Sequence, residues 1–300
     1  MKSDIKHNLA PDYTKGIKKV LLMITQDIID RIQDVEHEIL QQIAAICKRH
    51  GLCYFAIGGT ALGAVRHKGF IPWDDDIDIG MPRKDYEEFL RIAAAELPEN
   101  YYIQHYSTEP KSPFYFTKVR KKNTLFVEYF LKDSSIRQGI FVDIFPFDNV
   151  PEGEWRKNLH FRFCRTVYQL YLCKSLTTVF SSRFQQKDNR KGMVRKVIHF
   201  FLLPVPKKWL FRLLDRSVQM YNDRPSTEIS HIVRRRLRVK LSDLHPVCML
   251  PFDEYEIPVP KNYDAYLRAQ FGSYEELPPE NKRYGHLPYR VEFEYKGDRL

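Results

Sequence analysis

Four aspartates fall within five positions of the stretch IPWDDDIDIG: Asp74, Asp75, Asp76 and Asp78. No basic residue lies among them, so something outside the run must offset their repulsion. From Asp76 onward acidic and apolar residues alternate, the pattern of a strand whose side chains turn to two faces in turn. Asp76 and Asp78 then point the same way, about 6–7 Å apart at Cα, with Ile77 and Ile79 packing behind them. Like charges held so close are costly unless a cation sits between them. Hard carboxylate oxygens suit Mg²⁺ or Mn²⁺, which complete their shells with water and substrate phosphates. A phosphoryl-transfer site with one or two such ions needs a further carboxylate from a neighbouring strand. Asp143, between Val142 and Ile144 in FVDIF, supplies one. Asp74 shares the parity of Asp76 and Asp78 and extends the metal-binding set. Asp75 faces the other way on an extended strand and stays outside it. Acid clusters are commonly solvated loop charges, and Asp74 and Asp75 beside Pro72-Trp73 also fit that description; the apolar interleaving sets Asp76 and Asp78 apart.

An anion site lies just upstream. Gly58, Gly59 and Thr60 follow the apolar run CYFAI and open a short helix, TALGAVRH, whose first N–H groups attract phosphate. Arg66 lies one short helix further on, and Lys118 and Arg120 alternate along FYFTKVRK. These three are candidate phosphate contacts, against the plainer reading of a solvated strand face for the last two. His67 reads as structural and Trp73 as packing the loop over the site. The aromatics Tyr101, Tyr102, Tyr106, Phe114, Tyr115 and Phe116 read as core and cross-strand pairs before they read as a cage for a cationic ligand.

The elements that position these residues follow from periodicity. Between Gln26 and His50 apolar residues recur every three or four positions, an amphipathic helix that Gly51 ends. CYFAI and DIDIG read as strands and RKDYEEFLRIAAAEL as a helix, followed by the strand-like runs YYIQHY, FYFTKVRK, TLFVEYF and GIFVDIF. The pattern predicts an α+β fold, organised as an N-terminal extension (1–25), a catalytic core (26–150), a basic, mainly helical segment (151–240) and a C-terminal segment packing on the core (241–300).

The formal charge of +10 belongs to one part of the 300-residue chain. Residues 151–240 carry 21 basic and 6 acidic groups, while 1–150 and 241–300 are net acidic. From Ser181 to Arg216 ten basic residues meet only Asp188 and Asp215, beside the apolar clusters VIHFFLLPV and WLFRLL. Peripheral contact with an anionic membrane and a groove for an anionic polymer are both compatible with this pattern, as is a solvated helix face. RRRLRVK at 234–240 lacks interleaved aromatics or a binding module, which argues against nucleic acid. The five cysteines form no CxxC pair, so a zinc site or disulfide framework is not expected. No apolar run reaches membrane-spanning length, and the polar start has no signal-peptide core, so the expectation is a cytoplasmic protein, peripheral at most on the inner face of the plasma membrane.

Three blocks together resemble one family. GGTALGAVRHKGFIPWDDDIDIGM, GIFVDIFPFDNVP and EIPVPKNYDAYLRAQFGSYEELPPENKR, in that order, are similar to the blocks of the LicD family of phosphocholine transferases, whose relatives include fukutin-related protein. The glycine turn, DxD strand and later strand carboxylate are also similar to the wider nucleotidyltransferase superfamily. The resemblance implies a nucleotidyltransferase-like mixed sheet flanked by helices. It also implies transfer of a phospho-alcohol group from a CDP-activated donor, CDP-choline or a CDP-linked relative such as CDP-ribitol, to a sugar hydroxyl of a surface glycan (lipopolysaccharide, teichoic acid or capsule), with release of CMP. Asp76, Asp78 and Asp143 would be catalytic, with Asp74 joining them as metal ligands and Gly58, Gly59, Thr60, Arg66, Lys118 and Arg120 meeting the donor. Two other readings are a nucleotidyltransferase moving NMP from an NTP to a small acceptor, and a non-catalytic nucleic-acid-binding or scaffold protein. The intact aspartates disfavour the latter.

Overall fold

The computed structural model describes residues 25–176, 180–181, 186–187, 189–231, 237–280, 283–285 and 288–297. The N-terminal extension before residue 25 and Arg234–Arg236 of the basic run lie outside these. Helix α1 (Gln26–His50) buries Ile32, Val35, Ile39, Leu40, Ile43 and Ile46 along one face, and Gly51 ends it at φ 63°. That left-handed conformation costs glycine nothing. Strand β1 (Phe55–Ala56) leads into helix α2 (Gly58–Arg66), and β2 (Ile77–Pro82) runs directly into α3 (Arg83–Glu96). Strands β3 (Tyr101–Gln104), β4 (Thr117–Lys121), β5 (Leu125–Val127) and the nine-residue β6 (Phe141–Asn149) follow.

The main sheet runs β1-β2-β6-β4-β3. Only β2 and β6 are parallel; the other neighbours are antiparallel, which makes the sheet mixed. Its central strand β6 is buried along nearly its whole length, and its apolar side chains pack against α1 and α3. Such a strand reads as a continuous apolar run rather than an alternating one. The chain therefore adopts the α+β class.

Beyond residue 151, α4 (Glu154–Ser175), a short pair β7 (Phe180–Ser181) and β8 (Gln186–Lys187), α5 (Asn189–Phe201) and α6 (Lys207–Val218) form a helical layer. It has its own apolar cluster, in which Phe161, Cys164, Val167 and Tyr171 of α4 meet Leu210, Leu214 and Val218 of α6. Two strands beyond residue 151, β9 (Glu228–Ser230) and β10 (Arg238–Lys240), join the sheet at the end of β6, an addition that the basic composition concealed. The layer is bolted to the sheet by a buried guanidinium. Arg83 donates to both carboxylate oxygens of Asp148 at 2.7 Å and to the Tyr115 hydroxyl at 3.0 Å, and Tyr115 donates in turn to Asp215 of α6 at 2.9 Å.

The chain returns to the core through α7 (Leu241–Leu244), a hairpin of β11 (Cys248–Phe252) and β12 (Tyr255–Val259), α8 (Tyr263–Phe271), and β13 (Arg290–Glu292), which pairs with β5. Among the described residues no helix is long and apolar enough to cross a membrane.

Candidate active site

Strand register brings the predicted carboxylates together. Asp78 of β2 lies directly opposite Asp143 of β6, and Asp143 lies opposite Lys118 of β4, so the three occupy one row across the sheet. Asp76 precedes β2, which begins at Ile77, and face alternation therefore does not extend to Asp74, Asp75 and Asp76. These three form an irregular loop that follows a turn at Pro72-Trp73, closed by the Asp74 N–H donating to Ile71 O at 2.8 Å, and one carboxylate oxygen from each lies within 4.8 Å of the others. Asp75, which strand parity turns away, thus belongs to the cluster. The parity argument fails because the chain there has not yet entered the strand.

The glycine pair shapes the other wall. A Cβ at Gly59 would stand 2.5 Å from Asp74 Oδ2, and one at Gly58 would stand 3.4 Å from Asp78 Oδ2. Gly58 also sits at φ 56°. Gly59 brings backbone against carboxylate more closely than a side chain would permit, whereas at Gly58 the space is ordinary and the positive φ is what favours glycine. The Thr60 hydroxyl accepts the Asp78 N–H at 2.8 Å and so locks the start of α2 to the acidic strand. The first-turn N–H groups of α2 thereby lie beside the carboxylates, with the partial positive charge of a helix start.

Lys118 is 1% exposed, with its Nζ 2.8 Å from Asp143 Oδ1 and 3.0 Å from Oδ2. The ammonium donates to Oδ2 and lies within ion-pair distance of both oxygens. Glu128 Oε2 stands 3.7 Å from the same ammonium, whose free side is covered by the Phe141 ring at 3.4 Å. Burial lifts the Asp143 carboxyl to about 6; Lys118 opposes that rise, while Glu128 and Asp76 add to it. Lys118 is therefore the counter-charge of Asp143. Arg120 is fully buried and bonds to Gln104 Oε1 at 2.8 Å and to Gly139 O at 2.5 Å, fixing the sheet beneath the row. Arg66 spans from α2 to the C-terminal segment, donating to Tyr274 O at 2.7 Å and Glu276 O at 3.3 Å. Trp73 packs against the core, with the Arg283 guanidinium 5.5 Å above its ring. The six aromatics do not close into one cage: Tyr106 stacks on Phe211, Tyr115 bonds to Asp215, and Phe114 and Phe116 lie beside Lys118.

One residue of the site went unread in the sequence. Glu36 of α1 is 0% exposed, and neither of its carboxylate oxygens has a hydrogen-bond partner. Burial, and then Asp76, Asp75, Asp74 and Asp143, raise its carboxyl well above the usual range. The same helix holds the acidic loop through Gln33, whose Nε2 donates to Asp74 O at 2.8 Å. The available signal was an acid at a position of α1 that the apolar period places inside.

The partnerless oxygens of Glu36, the Asp143 carboxylate, three further carboxylates within ligand reach of one another, and a glycine wall leave a space bounded by hard oxygen donors. That donor set fits Mg²⁺ or Mn²⁺ and is poorly suited to softer metals.

Residues 51–179 match the family model described as LicD/FKTN/FKRP, nucleotidyltransferase domain. The chain is 27% identical over 257 residues to the lipopolysaccharide cholinephosphotransferase LicD of Haemophilus influenzae, an alignment covering 83% of this chain and 91% of that one. It is also 34% identical over 59 residues to the human ribitol 5-phosphate transferase FKRP, covering 20% of this chain and 12% of that one.

Proposed function

We propose that this chain, whose residues 51–179 match the LicD/FKTN/FKRP nucleotidyltransferase domain, is a metal-dependent transferase that moves a phospho-alcohol group from a CDP-activated donor to a sugar hydroxyl of a surface glycan, releasing CMP. The observation that carries this reading is the row Asp78–Asp143–Lys118, set beside the glycine turn and the acidic loop. Support for the phospho-alcohol comes from the two named relatives, one a transferase of cholinephosphate and the other of ribitol 5-phosphate. CDP-choline is the donor we put first.

Asp74, Asp76, Asp78 and Asp143 would hold Mg²⁺ or Mn²⁺, which neutralises charge on the pyrophosphate oxygens during transfer. The rest falls to the chain itself. The N–H groups at Gly58, Gly59 and Thr60 take a phosphate oxygen, while the helix start keeps the donor against the carboxylates. Lys118 keeps Asp143 ionised despite its burial. With its proton affinity near 6, the Asp143 carboxylate is suited to receive the proton of the attacking sugar hydroxyl at neutral pH. Burial of Lys118, Arg120 and the surrounding aromatics keeps the floor of the site dry, which strengthens each charge interaction.

The test is product identity. Incubation with labelled CDP-choline, other CDP-linked alcohols and NTPs, each with a glycan acceptor, should release CMP from a CDP-alcohol. Asp78→Asn and Asp143→Asn should abolish that release in proteins that keep their circular dichroism. Pyrophosphate release from an NTP would replace this reading with nucleotidyl transfer. Full turnover in either variant would remove the row from the chemistry.

A further inference from the structure

Helix α5 faces the wrong way for a soluble protein. Its apolar residues Met193, Val194, Val197, Phe200 and Phe201 recur at the spacing that gathers them on one face. That face normally points into a core. Here it points outward: Met193 is 70% exposed, Phe200 66% and Phe201 72%. The half-buried side of α5 carries Ile198 and His199, and the His199 ring is tied by Nδ1 to Cys173 O of α4 at 2.9 Å. The helix is thus anchored by its more polar side and presents its hydrophobic side to the surroundings.

Helix α6 follows α5 along the chain and packs on the same helix α4. Lys208, Arg212 and Arg216, at i, i+4 and i+8, form an exposed basic stripe, and Trp209 beside it is 56% exposed. Lys196 adds a charge at the edge of the apolar face of α5. None of these four cations forms an ion pair among the described residues. The surface is not a loose arm, because α6 is packed on α4 through Leu210, Leu214 and Val218 and is held to the sheet through Asp215 and Tyr115.

We propose that the outer face of α5 and the basic stripe of α6 form a docking surface for an anionic phospholipid bilayer, with Phe200, Phe201 and Trp209 entering the interface and Lys196, Lys208, Arg212 and Arg216 meeting lipid phosphates. Apolar aromatics flanked by Lys and Arg on a helix lying flat are what an interfacial segment requires. The charge decides against a second copy of the chain, since self-association over this face would bring two basic stripes toward each other. The aromatics decide against a soluble anionic polymer, which would leave them in water. This inference does not depend on which group the active site transfers.

The experiment is co-sedimentation of the full chain with vesicles of phosphatidylglycerol and phosphatidylcholine in equal parts, and with vesicles of phosphatidylcholine alone. Binding to the mixed vesicles is expected, weakened by salt, with little binding to the neutral ones. A Phe200→Ser/Phe201→Ser variant, altered only at exposed side chains, should lose binding while keeping its melting temperature. A Lys208→Gln/Arg212→Gln/Arg216→Gln variant should lose roughly a hundredfold in partitioning, from about 1 kcal/mol per basic residue near an anionic surface. No binding to either vesicle would overturn the proposal. So would binding that survives the serine substitutions, which would be charge attraction alone. A dimer in sedimentation velocity that those substitutions dissolve, without vesicle binding, would assign the face to self-association instead.

Discussion

Replacing Glu36 by glutamine should stabilise this protein, and by more as the pH rises. Glu36 is wholly buried, makes no hydrogen bond and faces the acidic loop and Asp143, so in the metal-free protein its carboxyl keeps its proton well above the ordinary range. The unfolded chain has no such constraint and releases that proton near pH 4.3. Above that pH the unfolded state therefore binds fewer protons than the folded one. Stability then falls by about 1.4 kcal/mol per pH unit until the folded carboxyl titrates in its turn. An amide of the same shape cannot ionise, so Glu36→Gln removes this slope. Both side chains leave a polar end buried without a partner, so that cost cancels to first order. Over two pH units the variant should gain about 3 kcal/mol, which for a chain of this size is roughly 5–10 °C in Tm. The assay is thermal or urea unfolding in the presence of a chelator, from about pH 5 to about pH 8. Adding Mg²⁺ should narrow the gap, because a cation offsets the repulsion that the wild type carries. Parallel stability curves for the two proteins, or a variant that loses ground as pH rises, would refute the reasoning. Either would mean that Glu36 is ionised and partnered in the fold.

Binding of Mn²⁺ to the free enzyme should weaken as pH falls through about 6, where Asp143 takes up its proton; Lys118→Met, by removing the opposing charge, should move that limb to higher pH in a paramagnetic-resonance or calorimetric titration. Gly59→Ala should place a methyl group 2.5 Å from Asp74 Oδ2 and displace that carboxylate, costing about a hundredfold in turnover with little change in the urea midpoint. Arg83→Met should destabilise the protein by about 3–5 kcal/mol in urea unfolding, since it strands the buried Asp148 carboxylate.

The sequence displayed the ingredients of the site more fully than its arrangement. Apolar periodicity located α1, α3 and the strands because amphipathic segments must turn one face inward, and β-branched flanks marked Asp143 as a strand residue. Pairing was a different matter. Nothing local in Asp78, Asp143 and Lys118 states that β6 lies between β2 and β4, since register is a property of the closed sheet. Alternation offers Lys118 to a phosphate or to solvent, because it gives a face but not a neighbour; the neighbour is Asp143. Asp75 was set aside through parity carried two residues beyond the start of β2. Glu36 passed unnoticed because one acid in an otherwise apolar face disappears within a periodic average. The strands β9 and β10 were hidden by the arginine-rich run between them.

The acidic pocket draws on positions 36, 74–76, 78 and 143, contributed by a helix, a loop and two strands far apart along the chain. No short fragment contains it. A ribosome must deliver the whole of β6 before Asp78 meets its opposite number, so the growing polypeptide carries its acids to the end of that strand without a cation site to share them. If the pocket takes the divalent ion proposed above, affinity for it would be acquired in one step with sheet closure, and metal uptake would serve as a clock for the folding of the core.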